Sequence, residues 1–172
     1  MRVNVKGISG SGKSTFSRQL AERLGVPYLE IDAIHHGPNW TEASAEELQT
    51  RVRDFMAGAP DGWVIDGNYE SKLGNTVLRE ADTIVWLDLP FRVKARRLWR
   101  RSADRIRGGV ELWHGNRESW RGVLWGRDAL FWWMVRGHFR HRRRWPRRFE
   151  GDERVVRLRS VEEARRWLDT TS

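Results

Sequence analysis

Cysteine is absent from the 172-residue chain, which excludes disulfides, thiolate metal sites and cysteine nucleophiles and agrees with a reducing compartment. Lysine is scarce, confined to Lys6, Lys13, Lys72 and Lys94, so nearly all the positive charge is arginine. No apolar run approaches the roughly 20 residues that a membrane-spanning helix requires. Only Met1 and Arg2 precede the first strand-like segment, which leaves no room for a cationic leader and an apolar signal core, so the expected location is cytoplasmic. No internal repeat is present. What remains is a composition of 39% hydrophobic and 32% charged residues, suited to one soluble globular domain spanning 1–172. The formal charge of +9 implies anionic partners such as phosphates, nucleic acid or acidic lipid, although genomic base composition is an alternative source of the arginine.

Hydrophobic patterning gives alternating strands and helices. Arg2 to Ile8 alternates as a strand does; Phe16, Leu20 and Leu24 then recur at helical spacing until Gly25 and Pro27 stop the helix. A second strand fits Tyr28 to Ile31 and ends at Asp32, followed by a polar, turn-rich stretch from His35 to Trp40. Thr41 to Ala57 reads as an amphipathic helix, Trp63 to Ile65 as a strand ending at Asp66-Gly67, and Ser71 to Glu80 as a short helix. The apolar run Thr83 to Leu87 has the look of a strand buried on both faces, and it stops at Asp88. Pro90 opens a strongly basic helix, and a strand at Val155 to Leu158 and a helix at Val161 to Leu168 close the chain. Such alternation predicts a parallel sheet with right-handed crossovers, whose ligands gather beyond the carboxyl ends of the strands.

At the first of those ends stands Gly7-Ile8-Ser9-Gly10-Ser11-Gly12-Lys13-Ser14. Its glycines permit torsions that turn successive backbone N–H groups inward as a nest for phosphate, and the following helix adds its partial positive charge. Lys13 can reach the β and γ phosphates, and the Ser14 hydroxyl can ligate Mg2+. The predicted ligands are therefore ATP or another nucleoside triphosphate, with Mg2+. A magnesium site also needs a strand-end carboxylate. Asp66 and Asp88 both qualify; Gly67 permits close approach after Asp66, whereas Leu89-Pro90 after Asp88 reads as a turn into a helix.

At these residues the chain resembles the adenylate-kinase-like P-loop kinases, most closely the small bacterial group called topology modulation proteins. The resemblance rests on Gly7 to Thr15, on Leu29-Glu30-Ile31-Asp32 with Pro38-Asn39-Trp40, on Val64-Ile65-Asp66-Gly67-Asn68-Tyr69, and on Leu87-Asp88-Leu89-Pro90. It implies a P-loop NTPase fold of the nucleoside/nucleotide-kinase type, three α/β/α layers around a five-stranded parallel sheet, with an arginine-rich helical lid and its flanking helices over about 91–148. It further implies that Gly7, Ser9, Gly10, Ser11, Gly12, Lys13, Ser14 and Thr15 hold the donor and that Ser14 and Asp66 serve the metal. Arg97 and Arg101 would clamp the donor at the entrance to a lid at Gly108 to Ser119, and a later arginine would return to the phosphates. Arg136, Arg140, Arg142 and Arg143 are candidates for that last role, with Arg142 the choice. Asp32 corresponds to a carboxylate beside an acceptor hydroxyl, which it could orient or deprotonate; Lys13, Asp32, Arg97 and Arg101 are thus the expected catalytic set. Acceptor contacts are expected from Asp32, His35, Trp40, Asn68 and Tyr69, and Arg159 and Ser160 fall in the loop that packs against adenine. Asn68-Tyr69 departs from the Phe-Pro that true adenylate kinases have there, so AMP is not implied as acceptor.

The expected activity is transfer of a phosphoryl group from ATP to a small nucleotide, nucleoside or other hydroxyl- or phosphate-bearing metabolite. The alternative is a nucleic-acid-binding ATPase or regulator, motivated by the arginine and tryptophan mixture in 92–148, since arginine neutralises backbone phosphate and tryptophan stacks on unpaired bases. A third reading makes Trp113, Trp120, Trp125, Trp132, Trp133 and Trp145 an interface of a homodimer or with a membrane surface, against inward packing of the same residues. Monomer and homodimer both remain open.

Overall fold

The computed structural model describes residues 1–126 and 129–171; Arg127 and Asp128, inside the stretch expected to flank the lid, and Ser172 lie outside it. Five strands, β1 (Arg2–Lys6), β2 (Tyr28–Glu30), β3 (Trp63–Asp66), β4 (Thr83–Leu87) and β5 (Val155–Leu158), form one parallel sheet in the order β2-β3-β1-β4-β5. β1 lies at the centre, with Val5 opposite both Asp66 and Val85. That placement brings the ends of β3 and β4 to either side of the loop leaving β1.

The period-2 pattern sorts side chains to two faces. Val3, Val5, Val64, Val85 and Leu87 pack with Phe16 and Leu20 of α1 (Lys13–Leu24) and Leu168 of α9 (Val161–Thr170). On the other face, Trp63, Ile65 and Ile84 meet Leu48 and Val52 of α3 (Ala45–Ala57) and Leu73 and Val77 from the next two short helices. Helix, sheet and helix thus make the three layers.

Several element ends differ from the sequence expectation, each for a local reason. β2 stops at Glu30, and Ile31–His35 forms the short helix α2, so Asp32 stands on a helical turn instead of closing a strand. The helix expected from Thr41 begins at Ala45, because Ser44 caps it: the Ser44 hydroxyl accepts the Glu47 N–H at 3.1 Å and the Glu47 carboxylate accepts the Ser44 N–H at 2.9 Å, a reciprocal cap that fixes the start. The expected helix near Ser71 to Glu80 is two, α4 (Glu70–Leu73) and α5 (Thr76–Glu80), separated at Gly74. Beyond β4, α6 (Phe91–Arg107) leads into the lid loop, a short α7 (Trp120–Leu124) follows, and α8 (Leu130–Arg148) returns across the sheet end.

Candidate functional site

The loop between β1 and α1 is wedged between two helices of the lid region. Gly10 and Gly12 sit at φ 81° and 86°, in the left-handed region, and a Cβ at Gly10 would overlap the Lys94 carbonyl of α6. Ile8 packs with Leu98 of α6 and Met134 of α8, and Gly137 of α8 abuts the Ile8 side chain. Ser11 N–H donates to the Ile8 carbonyl at 3.0 Å, while the Ser11 hydroxyl is buried with no partner among the described residues. Every residue from Gly7 to Thr15 lines a cavity of about 1760 Å³. The left-handed glycines, an orphaned hydroxyl and the start of a 12-residue helix suit a phosphate chain.

Asn68 belongs to this loop's support. Its Nδ2 donates to the Gly7 carbonyl at 2.7 Å and its Oδ1 accepts the Gly7 N–H at 3.3 Å, so the amide expected to meet an acceptor supports the phosphate loop while the residue lines the cavity. Lys6, buried under the same segment, donates to the Gly67 carbonyl at 3.0 Å and pairs with Glu70 at 2.7 Å. Burial pushes the Lys6 ammonium down in pKa and Glu70 opposes it.

The carboxylate nearest Ser14 is Glu30, which sequence reasoning quoted within a motif but gave no role. The Ser14 hydroxyl donates to Glu30 Oε1 at 2.7 Å, and Glu30 stands opposite Asp66 in the β2–β3 register. Asp66 is fully buried and does not line the cavity; it accepts the Tyr28 hydroxyl at 2.8 Å, and its Oδ1 has no partner. Burial pushes the Asp66 carboxyl up in pKa, with the Lys13 charge opposing. Asp88 is held by Arg157 at 2.6 Å and Arg142 at 3.2 Å, so it is an anchor for arginines. The Ser14 hydroxyl and the Glu30 carboxylate, side by side on the cavity, fit a magnesium ion, which commonly keeps its waters and takes only one or two protein oxygens beside phosphate. Ser14 and Glu30 would supply those oxygens, with Asp66 opposite Glu30 in the β2–β3 register.

Also lining the cavity, Tyr69 donates its hydroxyl to Asp32 Oδ1 at 2.6 Å, which leaves the other carboxylate oxygen for a ligand. Burial, then the Asp32 charge, pushes the Tyr69 phenol up, keeping it the donor. The His35 ring lies 4.7 Å from the Tyr69 ring and 4.7 Å from His36. Burial, then Lys72, pushes the His35 imidazolium down in pKa, with Glu42, 3.6 Å from its Nε2, opposing, and His35 lines the cavity. Trp40 lines the cavity at φ 59°.

Two stripes of arginine roof the cavity. Arg97, Arg101 and Arg105 follow one face of α6. Arg97 Nη1 donates to the Ser11 carbonyl at 3.2 Å, Arg105 binds Glu118 of the lid at 2.7 Å, and Arg101 lies 3.9 Å from the same carboxylate. On α8 the cavity-facing arginines are Arg136, Arg140, Arg144 and Arg148, each about 6 Å further along the helix. Arg142 lies off this stripe, on Asp88, which corrects its choice as the returning arginine; the signal available was the four-residue repeat itself. Arg159 and Ser160 serve α9 locally: the Ser160 hydroxyl accepts the Glu163 N–H at 3.0 Å and the Arg159 N–H donates to Glu163 at 2.7 Å. Of the six tryptophans considered as an interface, only Trp145 is buried in the core, whereas Trp125, Trp132 and Trp133 are 80%, 50% and 58% exposed.

No protein-family model matches the chain. Among curated relatives, a cytidylate kinase of Pyrococcus horikoshii is 29% identical over 111 residues, 58% of this chain and 56% of that protein. A cytidylate kinase of Natronomonas pharaonis is 34% identical over 130 residues, 66% of this chain and 63% of the relative. A shikimate kinase of Salinibacter ruber is 40% identical over 58 residues, 32% of this chain and 28% of the relative. The chain thus spans little more than half the length of the first of these. Among solved structures, a gluconokinase from Sinorhizobium meliloti matches with a TM-score of 0.55 at 19% identity, over 98% of this chain and 91% of that one. The fold is therefore the three-layer fold of P-loop nucleotide and small-molecule kinases, and the chain is similar in sequence to kinases of that class.

Proposed function

We propose that this chain is a phosphotransferase that moves the γ-phosphoryl group of ATP, with Mg2+, onto an oxygen of a small metabolite. One observation carries the reading: a single cavity is lined by Lys13 and Ser14 on the phosphate loop, by Asp32 and by the arginines of α6 and α8. Mg2+ when bound neutralises charge on the β and γ phosphates. Lys13 and the loop N–H groups hold the phosphates, and Arg97 and Arg101 stabilise charge on the group in transit. The free oxygen of Asp32 orients an acceptor hydroxyl. The acceptor oxygen bonds to phosphorus as the bond from phosphorus to the β–γ bridging oxygen breaks; ADP leaves with that electron pair, and the acceptor's proton passes to Asp32 and then to water.

Similarity to cytidylate, shikimate and sugar kinases supports the reaction class and leaves the acceptor to be chosen among nucleotides, nucleosides and hydroxylated metabolites. The motif resemblance to topology modulation proteins belongs to the same reading, as does a cytoplasmic location. Purified protein incubated with Mg-ATP and panels of these acceptors should yield one phosphorylated product, and Lys13→Ala should abolish it. Wild-type inactivity on every panel would sink the proposal. The exposed Trp125, Trp132 and Trp133 with the surrounding arginines favour a second reading, a nucleic-acid-binding ATPase; salt-sensitive binding of RNA or DNA without any acceptor turnover would select it. Light scattering decides whether those indoles meet a second copy of the chain.

A further inference from the structure

Two loops of this chain are built alike. Antiparallel bridges close them, His36 with Glu42 in the loop after α2 and Glu111 with Arg117 in the lid. Inside, the Gly37 N–H donates to the Thr41 carbonyl at 2.7 Å and the Leu112 N–H to the Asn116 carbonyl at 2.7 Å. A single turn follows the same plan in both: Thr41 N–H reaches the Pro38 carbonyl, and Asn116 N–H the Trp113 carbonyl, each at 3.2 Å. Both then cross the left-handed region at equivalent positions, Asn39 and Trp40 at φ 54° and 59°, His114 and Gly115 at φ 58° and 78°.

The two copies touch each other, and His36, Trp40, Leu112 and Trp113 from them line the cavity. Asn116, 5% exposed, donates its Nδ2 to the Gly37 carbonyl at 2.9 Å and accepts the Trp40 N–H on its Oδ1 at 3.0 Å. The His36 and Trp113 rings stack, with centroids 5.9 Å apart and planes 20° from parallel. An amide bonded twice to another loop's backbone reads that loop's conformation, because neither contact depends on a side chain of the partner. Trp40 is where this matters. A tryptophan at positive φ is strained; the lid loop has Gly115 at the equivalent place, where such torsions are free. The strained N–H is the one that Asn116 holds.

We propose that Asn116 is a positioning residue that interlocks the two sides of the cavity. The lid, carrying Glu118 with its partners Arg101 and Arg105, seats only on a 36–42 loop already in its strained form, and that form sets Trp40 and His36 against the acceptor space. The catalytic consequence rests on the kinase reading: a lid that closes only onto an ordered acceptor loop keeps water from the γ-phosphate until the acceptor side is formed. The structural half is independent of that reading.

Hydrogen exchange with and without a non-hydrolysable ATP analogue tests both halves, alongside ATP hydrolysis in the absence of acceptor. In the wild-type protein, amides of 36–42 and 111–117 should gain protection together when the analogue binds. In Asn116→Ala the Trp40 amide should exchange about tenfold faster, with the β3 and β4 amides unchanged as proof of an intact fold. Acceptor-independent hydrolysis should rise about tenfold relative to transfer. Trp40→Gly relieves the strain, so adding it to Asn116→Ala should restore protection at the Gly37 and Thr41 amides, whose acceptors lie within the loop, a rescue that loss of a merely structural contact would not give. Unchanged Trp40 exchange in Asn116→Ala, or independent responses of the two loops in the wild-type protein, overturns the interlock. If exchange behaves as expected while no acceptor is phosphorylated, the interlock stands and the kinase reading falls.

Discussion

Asn68→Ala separates a loop support from an acceptor contact. The side chain makes two bonds to Gly7, one short at 2.7 Å and one long at 3.3 Å, in a half-buried position where water can replace them only in part. A net hydrogen bond contributes about 1 kcal/mol and the long one less, so removing both should cost about 1.5 kcal/mol. For a chain of this size that lowers Tm by about 3–6 °C. Gly7 begins the phosphate loop, so if the lost order is expressed there, the Kd for an ATP analogue rises about tenfold. Calorimetric titration with the analogue reads this without knowledge of the acceptor. An acceptor contact would behave oppositely, raising the acceptor KM and leaving the ATP affinity alone. Wild-type Tm and wild-type ATP affinity in Asn68→Ala would refute the argument that this amide shapes the loop.

Three further outcomes follow from the same geometry. Gly10→Ala must place a methyl against the Lys94 carbonyl at a positive φ, so it should cost about 3 kcal/mol or more and weaken nucleotide binding, checked by thermal melts and titration; a wild-type melt would show that α6 does not back the loop. Asp88→Asn leaves Arg142 and Arg157 without their shared carboxylate, and should cost about 2 kcal/mol in chemical denaturation, since both arginines retain some access to water. Burial pushes His141 down to about 4 from an ordinary 6.5. The unfolded chain therefore takes up a proton below pH 6.5 that the folded chain refuses, so the stability from the neutral ring is full above pH 6.5 and is lost as pH falls toward 4. His141→Phe should flatten that loss by about 2 kcal/mol, after allowance for the ring's partial exposure, in melts from pH 7 to pH 4; an unaltered acid profile would count against a buried neutral ring.

The sheet was legible because its signals are local. Alternation in Arg2 to Ile8, the apolar run at Thr83 to Leu87 and the glycines of the phosphate loop each depend on a few neighbouring residues. The start of α3 was legible too, in Ser44 and Glu47, but was placed at Thr41 because polarity alone did not distinguish a cap from the turn before it. The donor loop was readable for the same reason as the sheet, whereas the roles of Glu30, Asn68 and Asn116 were not. Each is defined by a partner far along the chain: Glu30 by Ser14, Asn68 by Gly7, Asn116 by Gly37 and Trp40. A polar residue whose task is to hold a distant backbone carries no spacing rule.

Arg142 illustrates the remaining kind of error. Proximity in sequence made Arg140, Arg142 and Arg143 equivalent, but a helix separates them by 100° per residue, and only a stripe repeating every four positions stays on one face. The core decides which stripe faces inward: Met134, His138 and Trp145 are buried, His138 bonds Lys94 at 2.7 Å and Trp145 meets Trp86 with ring centroids 5.3 Å apart. Fixing those contacts turns Arg140 and Arg144 to the cavity and Arg142 to Asp88. The same contacts press Ile8 between α6 and α8 and set α6 against Gly10, so the conformation of the phosphate loop and the aim of the arginines are set by one packing arrangement. A substitution that shifts α8, such as one enlarging Gly137 against Ile8, should therefore weaken triphosphate binding although it removes no phosphate contact.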